Sequence, residues 1–217
     1  MSQGNRTFGH KAGSTMAARS RGVRLETGNF KQSRAMCGPA CLKIVLAYFG
    51  KRASEKLIAK ACRASRLTGT SGSNLVKGAR RFGFRAELMD HADLRTIEKW
   101  LRRGVPVIVD WMSTVAARGT STACGHYSVV CGLDKHHILL QDPGIGRRRR
   151  LSRRTFLNVW FDFKRVFPKA QDDLIIRRLI IVAPQEFSNH RPRQRRSRKS
   201  APAVLLPNTR PPGVASL

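Results

Sequence analysis

Apolar and polar positions follow three different regimes along the chain. Residues 1–30 are polar and show no periodicity, residues 31–185 carry apolar elements divided by turn signals, and from residue 186 onward Arg and Pro dominate. The two outer regions hold too little apolar surface to offset the entropy of ordering a chain, so both are predicted to be disordered. Inside the middle region, residues 40–49 bring Leu42, Ile44, Val45, Leu46 and Tyr48 into a dense apolar run that Gly50 stops, which predicts a buried helix. Residues 53–62 read as a second short helix with Ser54 as its N-cap, and residues 74–82 as a third, capped by Ser73 and stopped by Gly83.

The pattern then changes period. Residues 84–89 alternate as a strand does, Asp93 caps a helix that runs through Leu101, and Gly104-Val105-Pro106 turns the chain into a strand at residues 107–109. Residues 126–131 and 137–141 are short apolar runs joined by Gly132-Leu133-Asp134-Lys135-His136, the pattern of a hairpin, and residues 174–182 form a further strand. Helices first and mostly antiparallel strands afterwards predict an α+β fold, with the N-terminal helices packed on the sheet. The organisation expected is one domain over residues 31–185 between tails at 1–30 and 186–217.

Composition narrows the function classes. Hydrophobic residues make up 41% of the 217, enough for a core, yet no apolar run approaches the roughly 20 residues that span a bilayer. The N-terminus has no apolar segment of the kind a secretory signal needs. Five cysteines (Cys37, Cys41, Cys62, Cys124 and Cys131) are an odd number without a disulfide framework or zinc-ribbon spacing, which predicts reduced thiols, a cytoplasmic setting and no metal. Of the net charge of +29, residues 1–31 hold +5 and residues 186–217 hold +6, so +18 falls on the body. That field draws in acidic peptides, nucleic acid or anionic lipid alike.

Candidate chemistry centres on Cys37. It lies in AMCGPAC, just before the helix expected from Ala40, where the helix dipole and free backbone N–H groups favour a thiolate. Gly38 leaves room for a substrate backbone, and Pro39 suits a first helical turn. A cysteine taken alone is most often a buried structural residue; a nucleophile also needs a base. His126 is the best placed of six histidines, opening a strand directly after Gly125. His10 and His190 fall in the tails, His136 and His137 in the hairpin turn, and His91 in a loop between Asp90 and Asp93. Asp142, at the end of the neighbouring strand, could orient the imidazole, although Asp-Pro-Gly is also an ordinary turn starter.

At these residues the sequence resembles the bacteriocin-processing, double-glycine leader peptidases. CGPACLKIVLAYFG, GTS, GVPVIV, GHYSVVCGLD and QDPGIG match in order and spacing over residues 32–165. The resemblance implies a papain-like fold, a cysteine peptidase activity cleaving after two small residues, and Cys37, His126 and Asp142 as nucleophile, base and orienter. It also implies Gln32 as the oxyanion donor, although only four residues separate Gln32 from Cys37, one fewer than the family pattern. Many family members are parts of export transporters; this sequence carries no phosphate-binding GxxxxGK[ST] motif and reads as a stand-alone relative.

The basic runs leave alternatives open. Arg147, Arg148, Arg149 and Arg150 begin five residues after Asp142 and read either as a solvated face beside a turn or as a rim that binds acidic peptide substrate. The tail run RPRQRRSRK could bind nucleic acid through phosphates, but no aromatic stacking platform or recognition motif accompanies it. A nucleic-acid-binding protein on a peptidase-like scaffold, and a thiol amidase or transpeptidase, are therefore the competing readings.

Overall fold

A computed structural model of the chain describes residues 22–117, 120–164 and 171–187. Nine strands and five helices occur among them: β1 Val23–Arg24, α1 Cys37–Tyr48, α2 Glu55–Ala61, α3 Gly72–Arg81, β2 Phe84–Met89, α4 Leu94–Arg102, β3 Val107–Ala117, β4 Thr120–Leu133, β5 His137–Asp142, β6 Arg147–Ser152, α5 Arg153–Val159, β7 Phe161–Phe163, β8 Leu174–Ile176 and β9 Leu179–Pro184. The main sheet has the order β2-β9-β3-β4-β5-β6, with β1 paired to β4 beyond the start of β3, and every pairing is antiparallel. A separate ribbon joins β7 to β8. This is an α+β fold.

Strand alternation sends successive side chains to opposite faces. Ile108, Tyr127, Val129, Ile180 and Val182 pack with Leu42, Val45 and Leu46 of α1, Ile58 of α2 and Leu75 and Ala79 of α3. Val107, Val109, Trp111, Val130, Ile138, Leu140, Leu179 and Ile181 pack on the other face with Ile97 and Leu101 of α4 and Phe156 and Trp160 at the end of α5. The sheet thus has a core on each side.

Several expected boundaries move, each for a local reason. Helix α1 begins at Cys37 itself rather than near Ala40, because Pro39 fits the first turn. Helix α3 begins at Gly72, and its N-cap is Ser71, whose side chain accepts the Asn74 N–H, not Ser73. The strand expected over residues 174–182 is two strands. Arg177 takes φ 50°, and Trp160 holds the break by accepting the Arg177 N–H on its carbonyl and donating its indole N–H to the Arg178 carbonyl at 3.0 Å. The three-residue strand expected at 107–109 is the start of an eleven-residue one, β3. The four-arginine run, left unassigned by the pattern, is a strand: β6 pairs along the whole of β5. Ordered structure also begins before residue 31, since β1 pairs with β4 and the Leu25 N–H donates to the Cys131 carbonyl at 2.7 Å. The remainder of the two expected tails, residues 1–21 and 188–217, lies outside the described residues.

One close approach sets the helix spacing. A Cβ at Gly78 would lie 2.2 Å from the sulfur of fully buried Cys62, so α3 can rest on the end of α2 only with glycine there. Gly78→Ala is expected to destabilise the fold by about 1–3 kcal/mol through overpacking, although Ala is the better helix former by about 1 kcal/mol. In a Cys62→Ala background the same substitution should become neutral or stabilising. Denaturant unfolding of the four proteins tests this; equal costs in both backgrounds would show that Cys62 is not the obstacle.

Candidate active site

The register of the central strands gathers four side chains on one face. In β3 and β4, Trp111 lies directly opposite His126. Strands β4 and β5 pair Leu133 with Ile138 and Gly132 with Leu139, but then Val130 with Leu140 and Val129 with Gln141. Cys131 is the extra residue of this bulge. Without the shift, Asp142 would fall opposite Val129, on the face away from His126. With it, Asp142 falls opposite Ser128, one pleat from His126 and on the same face. In β6, Arg149 pairs with Leu140 and so stands diagonal to Asp142.

Contacts follow this placement. His126 Nε2 lies 2.7 Å from Asp142 Oδ1, and the pair is nearly closed to solvent, at 8% and 1% exposure. Trp111 meets the His126 ring edge-on, with centroids 6.0 Å apart, and its indole N–H donates to Ser128 Oγ at 3.0 Å. The Gly144 N–H donates to Asp142 Oδ1 at 2.8 Å. Gly144 has no side-chain room: a Cβ there would stand 3.0 Å from Asp142 Oδ1 and 3.1 Å from His126 Cε1.

Cys37 reaches the pair from the first residue of α1. Pairing of β4 with β5 stops at Val129, and beyond it the Tyr127 N–H is free to donate to the Cys37 sulfur, as does the Gly38 N–H. The sulfur also hydrogen-bonds the His126 ring, whose Nε2 is already held by Asp142, which leaves Nδ1 for it. Burial pushes the Cys37 thiol up, but the His126 bond and charge and the two backbone donors outweigh it, so the pKa falls below that of a free cysteine. Burial lowers His126, yet Asp142 and Cys37 overcompensate and raise it to about 9. Asp142, itself penalised by burial, is held below the usual carboxylate range by His126, Arg149 and the Gly144 N–H. The arrangement favours a thiolate beside an imidazolium. The other cysteines differ: Cys41, Cys62, Cys124 and Cys131 are all raised by burial, Cys62 to about 12.

Gln32 is also brought to this neighbourhood. Its backbone N–H donates to the Pro143 carbonyl at 3.0 Å, one residue past Asp142, and its side-chain Oε1 is buried without a donor. The short spacing to Cys37 is taken up by a tight turn in which the Met36 N–H donates to the Ser33 carbonyl and Ala35 adopts φ 61°. Ser33 donates through both N–H and Oγ to the Glu55 carboxylate, tying the turn to α2.

The four arginines have different partners. Arg148 pairs with Glu26, Arg149 Nε donates to Asp142 Oδ2 at 2.9 Å, Arg150 contacts His137 Nδ1 at 2.8 Å, and Arg147 is exposed. Among the described residues no three His, Cys, Asp or Glu side chains are grouped as metal ligands. The basic tail offered as a nucleic-acid contact lies outside the described residues.

Sequence reasoning missed two features. Trp111 was findable, since β3 alternation places it with Val107 and Val109 opposite His126. Asp110 was visible as an acid inside an apolar strand, but not its partner. Asp110 is raised well above the carboxylate range by burial and by Asp162, which burial also raises. Asp162 lies against Gly125, where a Cβ would stand 2.2 Å from its carboxylate.

Among curated proteins none matches the chain significantly. Solved structures of similar fold include the peptidase domain of Streptococcus ComA, a bi-functional ABC transporter involved in a quorum-sensing pathway (TM-score 0.53, 23% identity, 74% of this chain and 100% of that one). A double glycine motif protease from an AMS/PCAT transporter, in complex with the leader peptide, is comparably similar (0.53, 22%, 76% and 98%). So is a putative C39-like peptidase from Bacillus anthracis (0.52, 14%, 76% and 98%). The sequence model of the peptidase C39 family matches residues 29–167, from the turn before Cys37 past β7. The chain belongs to the peptidase C39 family, a family of cysteine peptidases.

Proposed function

We propose that this protein hydrolyses a peptide bond with Cys37 as nucleophile, His126 as acid and base, and Asp142 as orienter. The observation that carries the reading is the continuous contact from the Cys37 sulfur through the His126 ring to the buried Asp142 carboxylate. The Cys37 thiolate attacks the carbonyl carbon, forming a C–S bond while the carbonyl electrons move to oxygen. The Cys37 N–H, at the start of α1, and the Gln32 amide then hold that oxyanion. As the tetrahedral species collapses, the C–N bond breaks and His126 gives its proton to the departing amine. His126 next takes a proton from water, whose oxygen attacks the thioester and releases the acid, and the imidazolium–thiolate pair re-forms. Asp142 holds the ring in place throughout.

The substrate we propose is a leader-type peptide cut after two small residues, Gly-Gly among them. Support comes from family membership and from the similar fold of a double glycine motif protease that is complexed with a leader peptide. The five free thiols fit a reducing compartment such as the cytoplasm, and no helix among the described residues is long and apolar enough to cross a membrane.

Synthetic peptides with a central Gly-Gly, and matched peptides with Val at either glycine, test the reading directly. Cleavage after the second glycine is expected, with Val variants poorly cut. Cys37→Ala and His126→Ala should abolish turnover without unfolding the protein. Asp142→Asn should lower kcat by about 10²–10⁴-fold, and Gln32→Ala by about 10²–10³-fold. No cleavage of any peptide by wild-type protein, or unchanged cleavage by Cys37→Ala, would overturn it.

Two outcomes follow from the electrostatics. Brief iodoacetamide treatment at neutral pH should label Cys37 ahead of Cys41, Cys62, Cys124 and Cys131, read by peptide mass mapping. The active ion pair needs a protonated His126, so kcat/KM should hold through neutral pH and fall near pH 9 as that proton leaves. A decline centred near pH 6.5 would mean that Asp142 does not raise the imidazole.

A further inference from the structure

The geometry points to Arg149 as a positioning residue for the His126–Asp142 pair, not a contact for acidic substrate, an inference that rests on the peptidase reading. Asp142 has two oxygens and both are committed. Oδ1 takes His126 Nε2 and the Gly144 N–H, and Oδ2 takes Arg149 Nε at 2.9 Å. The guanidinium also lies over the Trp111 ring, 5.7 Å from its centroid, and Trp111 in turn packs edge-on against His126. Arg149 therefore touches both walls of the histidine site, Asp142 and Trp111. An aromatic face and a carboxylate oxygen fix the guanidinium from two directions, which a flexible surface cation lacks.

Position along β6 separates Arg149 from its neighbours. Arg147 and Arg149 share a face by alternation, but Arg147 pairs with Asp142 in register and is exposed, whereas Arg149 is diagonal to Asp142 and reaches its carboxylate. Arg148 and Arg150 stand on the opposite face with Glu26 and His137. A rim built for acidic peptides would present these side chains outward together; three of the four are engaged within the protein.

The consequence is chemical. With both oxygens held, the carboxylate cannot rotate, so His126 keeps one ring orientation and one tautomer through proton transfer. The cation also lowers the proton affinity of every acid near it. Asp142 from β5 is the acid it lowers directly; His126 from β4 and Cys41 from α1 interact with that carboxylate and Cys37 from α1 interacts with His126, whereas Asp110 from β3, Tyr127 from β4 and Asp162 from β7 interact with Arg178. Lys31, whose ammonium donates to the Gly144 carbonyl, adds a second cation from the N-terminal segment. Removing Arg149 should therefore raise the Cys37 and His126 pKa values together, moving both limbs of a pH profile upward.

The test compares Arg149→Gln, Arg149→Lys and Arg147→Gln with wild type. Two readouts serve: the rate of Cys37 alkylation by iodoacetamide against pH, and kcat and KM on an acidic and a neutral Gly-Gly peptide. Alkylation needs no substrate, so it decides the role of Arg149 even if no peptide is cleaved. Arg149→Gln is expected to move both limbs to higher pH by about half a unit and to lower kcat about ten-fold with KM within two-fold on both peptides. Arg149→Lys should restore the pH position but only part of kcat, since the charge returns without the rigid fork. Arg147→Gln, which loses the same charge two residues away, should match wild type. A raised KM confined to the acidic peptide, with the alkylation profile unmoved, would make Arg149 a substrate contact and overturn the inference. So would equal effects of Arg149→Gln and Arg147→Gln. Should Arg149→Gln fail to fold, Arg149→Lys decides alone, because a wild-type rate at every pH would exclude the fixed fork.

Discussion

A carboxylate as buried as that of Asp142 stays ionised only where donors and positive charge replace the water it has lost. Its site supplies an imidazole, a backbone N–H and a guanidinium, on three different pieces of chain. Each piece is constrained accordingly. Strand β4 must deliver His126 to the correct face, the Pro143-Gly144 turn must bring an N–H close without a side chain, and β6 must lie where Arg149 can reach. The bulge at Cys131 satisfies the first of these. By shifting the register one residue, it moves Asp142 from the face away from His126 to the same face. A change at Cys131 would thus act on the site from a distance, through strand pairing.

Cys37 arrives by a different route, from a helix packed on the sheet. The helix start gives the sulfur the Gly38 N–H, and the end of the β4–β5 pairing gives it the Tyr127 N–H. Neither donor depends on His126. The thiol is therefore shifted toward thiolate by fixed backbone dipoles as well as by the imidazolium, and those dipoles need no reorganisation when charge develops. The turn at residues 33–36 completes the approach. Ser33 on the Glu55 carboxylate and Gln32 on the Pro143 carbonyl anchor its start to α2 and to the Asp142 loop.

The sequence made the elements near the site legible where a local signal exists. Ser54 and Asp93 cap the helices they were expected to cap, each accepting an N–H three residues on. Gly50 and Gly83 follow the ends of α1 and α3 with positive φ, as helix stops do. The hairpin of β4 and β5 brought His126 and Asp142 to adjacent strands. What was not legible depends on contacts between distant segments. Nothing near Arg177 announces that Trp160 will divide the strand expected there. The serines at 71 and 73 both fit an N-cap, and Ser71 is the one whose side chain accepts the Asn74 N–H. Asp110 and Asp162 stand far apart in sequence, so their coupling is a product of the fold.

The arginine run shows what strand register adds to composition. Four successive cations at residues 147–150 suggest a solvated face, and in water they would repel one another. Strand alternation removes most of that conflict, because neighbours in a strand point to opposite faces and only every second residue shares one. Glu26, Asp142 and His137 then lie within reach of three of the four. The same run makes β6 an edge strand studded with charge, and exposed charge on an edge discourages another chain from adding to it. One run of charge thus lies along the sheet edge and, through Arg149, reaches the Asp142 carboxylate.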